Sequence, residues 1–337
     1  GQRPEFKVPI PAVYKELIEQ CWKQDPKERP TFEVIVNLLE TDPKFLISTI
    51  DIETYSLYKE YIVNYFNKKI ETKTTEDPLK KIEFKRPKQM SNLMKPRLIS
   101  QGDFYELFTV KDEKTKKTHL AKVFYTFIED YSRKSRRKIR EIIRCMLHVN
   151  HPSITRSLAF SKHGFGQEYR PTILTKFEDK IKLFDILNKR VNEKVQHKWT
   201  PTQKLINIYG IASGMLYLHS RNILHLKLTP DTIYENSKLE PKIDDFGLHG
   251  IFRDLETMAK IIKFVPYYAP EFYLRNEYTE KSEVYSYGLI VYSIITDSIP
   301  FESDDVHENS DRILNKTPLQ FGPEISPFYR EFIEKCL

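Results

Sequence analysis

Apolar positions recur at two different periods along the chain, and they divide it into a strand-rich stretch followed by a helix-rich one. Residues 1–40 carry helical spacing in two short runs, joined by "DPKERPTF" (residues 25–32), where proline stands at or near a helix start. Residues 41–97 read as a linker: residues 51–70 keep apolar positions near helical spacing, and from Glu71 onward the chain is charged and unpatterned. Residues 98–124 alternate apolar and polar positions around "KDEKTKK" (residues 111–117), which predicts strands joined by a turn. A basic helix is expected over 132–149, with strands at 157–162 and 171–177. Residues 200–220 then read as a long helix. Thr200 is its N-cap, Pro201 opens it and Gln203 completes a capping box. Leu205, Ile208, Ala212, Met215 and His219 make one buried stripe along it. Strands first and helices afterwards argue an α+β fold of two lobes, a small β-rich one and a large helical one.

Composition narrows this picture. With 337 residues, 40% hydrophobic and 30% charged, the chain is globular and long enough for one large domain or two ordinary ones. The longest apolar run, "GLIVYSII" (residues 288–295), is too short for a transmembrane segment. Cys21, Cys145 and Cys336 lie far apart, which excludes a disulfide scaffold or zinc ribbon and favours an intracellular, cytoplasmic setting. Only 10 glycines leave little for a Gly-rich phosphate loop. The net charge of +7 is concentrated in residues 111–144, where twelve Lys or Arg face five Asp or Glu. Its densest part is "SRKSRRKIR" (residues 132–140), within a basic stretch from Arg133 to Arg144. These residues read either as a solvated helix face or as a patch for an acidic partner, anionic lipid or nucleic acid. No RNA-binding aromatic motif accompanies them, which argues against nucleic acid.

A repeat sets the organisation. "IPAVYKELIEQCW" (residues 10–22) returns as "ISPFYREFIEKCL" (residues 325–337), offset by 315. Ile10/Ile325, Tyr14/Tyr329, Glu16/Glu331, Ile18/Ile333, Glu19/Glu334 and Cys21/Cys336 are identical pairs, and Phe6 matches Phe321. Two copies of one unit are the expectation. A start at Gly1 and a stop at Leu337 within a helix-like pattern are read as the ends of a fragment.

From residue 98 to the end the chain resembles a protein kinase domain. "KIDDFGL" (residues 242–248) contains D-F-G, and "YYAPE" (residues 267–271) contains A-P-E. "SEVYSYG" (residues 282–288) is similar to the start of the central helix of the large lobe. "HLAKVF" (residues 119–124) is similar to the third strand with its lysine, Lys122. Their order and spacing together are specific. "LIEQCWKQDPKERPTFEVIVNLL" (residues 17–39) resembles the last two helices of a tyrosine-kinase-like or tyrosine kinase. The expected organisation is therefore 1–40 closing a preceding kinase domain, 41–97 linking, and 98–337 a second kinase-like domain in a tandem chain.

Phosphoryl transfer needs a lysine on the phosphates, Mg²⁺ held by carboxylate and amide oxygens, and a carboxylate that aligns the hydroxyl. The resemblance assigns Lys122 to the phosphates and Asp245 to the metal. The catalytic loop, H-R-D-L-K-P-x-N in the family, reads "HLKLTPDT" (residues 225–232) here. His225 is kept, Leu226 replaces the arginine, Lys227 the aligning Asp, Thr229 the Lys and Thr232 the metal-binding Asn. The phosphate-covering loop keeps Gly102 alone and carries the Tyr105 ring. Glu141 is the candidate partner of Lys122, although Ile142 occupies the usual spacing. Glu271 in the family pairs with an arginine between the last two helices, and the 315 offset puts the counterpart of Arg29 at position 344. Residues 1–40 are then expected either to fold onto the second large lobe, offering Arg29 and Trp22, or to belong with the first domain. These substitutions imply a pseudokinase, a scaffold or allosteric regulator, with ATP and Mg²⁺ held weakly or lost. Its partner would be another kinase domain in the same chain or a separate protein. The alternatives are an active Ser/Thr or Tyr kinase with an unorthodox loop, or a basic interaction module.

Overall fold

Alternation over residues 98–124 supplies the first three strands of a five-stranded antiparallel sheet of order β1-β2-β3-β5-β4. Its strands are β1 (Leu93–Gln101), β2 (Tyr105–Asp112), β3 (Thr118–Phe124), β4 (Ser157–Ser161) and β5 (Thr172–Lys176). In this computed structural model the described residues are 3–70, 93–102, 104–112, 114–125, 133–161, 170–177, 181–189, 193–248, 267–275 and 277–300. The β2–β3 turn forms because Asp112 Oδ1 accepts from the backbone N–H of Lys114 and Thr115. Strand β3 is central, so Leu120 to Phe124 are buried, and Lys122 lies opposite Leu107 on β2 and Ile173 on β5. The basic helix α4 (Arg133–His148) packs against β4. A small sheet of β6 (Ile181–Lys182), β7 (Ile233–Glu235) and β8 (Pro241–Ile243) lies at the junction with the helical lobe. Short helices α5 (Leu183–Leu187) and α6 (Glu193–Lys198) follow β6.

The helical lobe is built on α7 (Pro201–His219) and α9 (Glu280–Thr296), with α8 (Pro270–Arg275) before α9. Helix α7 departs from the stripe expected of it. Ile206, Asn207, Tyr209 and Ile211 are buried along with Leu205, Ile208, Ala212 and Met215, because α2, α3, α9 and β8 pack around it. The capping box is half formed. Thr200 Oγ1 accepts from Gln203 N at 3.3 Å, whereas Gln203 Nε2 donates to the Lys238 carbonyl.

Residues 1–40 fold onto this lobe. Helix α1 (Ala12–Cys21) buries Val13, Tyr14, Leu17, Ile18 and Cys21, one face at helical spacing, against α9. A one-turn helix at Pro26–Glu28, capped by Asp25, leads to α2 (Phe32–Thr41), which Thr31 caps and which lies on α7. The first half of the expected linker is also packed. Helix α3 (Ile52–Ile70) lies along α7, buries Tyr55, Tyr58 and Ile62, and ties Tyr58 Oη to Ser153 Oγ at 3.1 Å. Residues 71–92 fall outside the described residues, as does the second repeat copy, whereas residues 93–97, expected as the end of the linker, pair with β2 as the start of β1.

One buried group sets a pH dependence. Glu235 on β7 is fully buried, and neither carboxyl oxygen takes a hydrogen bond from the described residues. Burial holds its pKa well above 4.5, with nearby Asn207 and Lys242 pulling it partly back. The unfolded chain releases this proton first, so as pH rises above 4.5 stability falls by up to about 1.4 kcal/mol per pH unit. Glu235→Gln is expected to raise the melting temperature at pH 7, with a margin that shrinks towards zero near pH 4 in a melting series.

Candidate functional site

Three elements converge: β3 brings Lys122, the first residue of β2 is Tyr105, and the segment after β8 brings Asp244 and Asp245. Lys122 is buried, and its ammonium lies 2.7 Å from Asp244 Oδ1 and 2.6 Å from Asp245 Oδ1. Asp244 Oδ1 also accepts from the Asp245 backbone N–H at 2.9 Å. Burial pulls the Lys122 pKa down, but the two carboxylates and their hydrogen bonds together outweigh it, so the pKa is raised and the ammonium stays charged. Asp245 takes a left-handed backbone, φ +59°, which aims its carboxylate back at β3.

The second oxygen of Asp245 is also occupied. Tyr105 Oη donates to Asp245 Oδ2 at 2.7 Å, and Lys122 Nζ stands 5.1 Å from the centre of the Tyr105 ring. The ring is fixed from behind by Phe124, edge to face at 5.9 Å. Burial, then the charge of Asp245, raises the Tyr105 pKa well above its usual value, so the phenol remains a donor. Gly102 lies against Tyr105: its N–H donates to the Tyr105 carbonyl at 2.8 Å, and an added Cβ would stand 3.2 Å from that oxygen. Gly102 therefore serves the placement of Tyr105.

Glu141 is not brought to this cluster. It is exposed and pairs with Arg137 at 3.1 Å, one turn back on α4. The next residue faces inward instead: Ile142 Cγ2 lies 2.9 Å from where a Cβ on Gly247 would sit. The expected partner of Lys122 is thus replaced by Asp244. The doubled acid in "KIDDFGL" was the readable signal for it. Burial in the sheet leaves an ammonium little choice but the nearest carboxylates.

The 225–232 loop is tied partly to itself and partly to its neighbours. His225 is buried, its carbonyl accepts from Gly247 N at 2.9 Å, and burial lowers its pKa below 6.5. Lys227 is buried too, with Nζ 5.6 Å from the centre of the Phe104 ring. Thr232 Oγ1 accepts from Thr229 N at 3.2 Å and lies 3.0 Å from the carbonyls of Lys227 and Thr229, to one of which it donates. Thr229 is buried, and its hydroxyl has no partner among the described residues. Leu226 has φ +70°, and its N–H donates to Glu283 Oε1 at 2.8 Å, while Glu283 Oε2 meets His219 Nε2 at 2.6 Å. Glu283 and His219 hold the loop against α9 and α7, a role that the helical spacing of His219 does not reveal.

At the far end of the lobe, Arg29 reaches Glu271 through two bonds of 2.6 and 3.0 Å, both side chains buried. Of the two placements open for residues 1–40, the structure has the docked one. Phe6 and Trp22 complete it against Tyr292, at ring distances of 5.5 and 6.2 Å.

Residues 94–337 match the family model described as protein kinase domain. The chain is 26% identical over 340 residues to the dual specificity protein kinase pyk3 of Dictyostelium discoideum, covering 99% of this chain and 24% of that protein. It is 25% identical over 249 residues to the Aurora kinase of Schizosaccharomyces pombe, covering 71% and 64%. It is 34% identical over 125 residues to the cysteine-rich receptor-like protein kinase 10 of Arabidopsis thaliana, covering 34% and 18%. The chain thus spans less than two thirds of each of these relatives. Among the described residues no helix is long and apolar enough to cross a membrane.

Proposed function

Because the chain belongs to the protein kinase family, we propose that residues 98–337 are a pseudokinase module, a scaffold or allosteric regulator in signalling rather than a working phosphotransferase. The observation that carries this reading is the closure of Asp245, whose two oxygens are taken by Lys122 at 2.6 Å and Tyr105 at 2.7 Å. Magnesium and ATP do not fit these residues as they stand. A cation at Asp245 has to displace an ammonium and a phenol, the nearby Thr232 hydroxyl is engaged in its own loop, and phosphates have to compete with Asp244 for Lys122. Lys227 in place of an acid changes the local charge by two units, each worth about 4 kcal/mol at 4 Å and an effective dielectric near 20. No phosphoryl-transfer step follows from this arrangement.

The test is a melting series of the 337-residue chain with ATP alone and with Mg²⁺ or Mn²⁺. A ligand stabilises only a fold it binds, so no shift at millimolar nucleotide is expected. A metal-dependent shift would overturn the reading. A second reading, an active kinase, draws on the retained Lys122 and D-F-G; metal-dependent autophosphorylation would establish it. Residues 1–40 are proposed as the closing helices of a preceding kinase domain, which makes that domain, or a protein in its place, the expected partner. On α4, Arg133, Arg137 and Arg140 are exposed, and Arg137 is paired with Glu141. An acidic partner there would bind with a steep salt dependence.

A further inference from the structure

The repeat and the packing of α1 meet at one place. Helix α1 crosses α9 at Gly288, where an added Cβ would stand 2.6 Å from Cys21 Cβ and 3.5 Å from the Ile18 carbonyl. Ile18 and Cys21 are fully buried there, and Tyr14 nearly so. All three are among the identical pairs of the repeat, as Ile333, Cys336 and Tyr329. The other buried positions, Val13, Leu17 and Trp22, return as Phe328, Phe332 and Leu337, apolar in every case. The exposed positions Lys15, Glu16, Glu19 and Gln20 return as Arg330, Glu331, Glu334 and Lys335, charged in every case. Phe6, which packs on Tyr292, returns as Phe321. The face that α9 reads is therefore written twice in one chain.

We infer that the face of α9 around Gly288 is a docking site for residues 325–337, in exchange for α1. The two segments present the same apolar face to the same groove, so one displaces the other. Segment 1–40 holds the site by its second anchor. Arg29 bonds Glu271 and the Lys281 carbonyl, and Lys281 Nζ donates back to the Arg29 carbonyl. Residues 325–337 bring the apolar face without that arginine. The N-terminal segment is thus a strap whose release is coupled to seating of the second copy.

Thiol labelling tests the exchange. Cys21, at the end of α1, is buried against α9, so in the full chain carrying Cys145→Ser and Cys336→Ser it is the single thiol. Labelling by an excess of reagent, read by intact mass, is expected to be about 100-fold or more slower than in urea. Adding a synthetic peptide of residues 325–337 with Cys336→Ser, at ten times its Kd, is expected to speed Cys21 labelling about tenfold, since the open population rises with occupancy. In an Arg29→Ala chain the same acceleration should need less peptide. A peptide with Tyr329→Asp and Ile333→Asp should do nothing. Rapid Cys21 labelling without peptide, equal acceleration by the Asp peptide, or no acceleration in either chain would each overturn the inference.

Discussion

Arg29→Ala is expected to lower the melting temperature of the 337-residue chain by about 6–20 °C. The guanidinium and the Glu271 carboxylate are both buried and joined by two bonds. Removing the arginine leaves the carboxylate in a dry site with the Ser282 hydroxyl at 2.9 Å as its remaining side-chain donor. Breaking a buried pair from one side costs about 3–5 kcal/mol, and in a domain this large each kcal/mol moves the midpoint by about 2–4 °C. Glu271→Ala should cost a similar amount. The pair Arg29→Met with Glu271→Leu should recover much of the loss, because it removes both desolvation penalties together. A double-mutant cycle in thermal melts checks this. An Arg29→Ala midpoint unchanged within a degree would mean that residues 1–40 do not dock on this lobe in solution.

Lys122→Ala is expected to have an effect of the same size on folding, about 3–5 kcal/mol. At a phosphate-binding lysine the loss would fall on activity; here it falls on stability. Asp244 is nearly as buried as Lys122, and it and Asp245 would both lose the ammonium that they share. Adding Asp244→Asn to Lys122→Ala should restore more than half of the loss, since the buried negative charge disappears with the buried positive one. The measurement is urea unfolding of the wild type, the single variant and the double variant. A loss below about 1 kcal/mol for Lys122→Ala would place the lysine in solvent and remove the closed-cluster argument.

The sequence by itself determined the elements and the substitutions at the catalytic motif. Strands and helices came from local periodicity, and caps such as Thr31, Asp112 and Thr200 act within three residues of themselves, so neighbouring sequence suffices to place them. Lys227 in place of an acid is likewise a fact of composition at a motif. The duplicated face of residues 10–22 and 325–337 was legible for the same reason. What the tertiary structure alone decided were partners across long separations. Lys122 could choose between Glu141, 19 residues away, and Asp244, 122 residues away. The helical phase of α4 turns Glu141 outward and Ile142 inward, and phase depends on packing, which no local pattern records. Tyr105 was visible as an ill-placed ring, but its bond to Asp245, across 140 residues, needed both ends folded. The fate of residues 1–40 and of α3 was open in the same way, because an apolar stripe fixes that a face is covered and leaves to the assembled lobe which surface covers it.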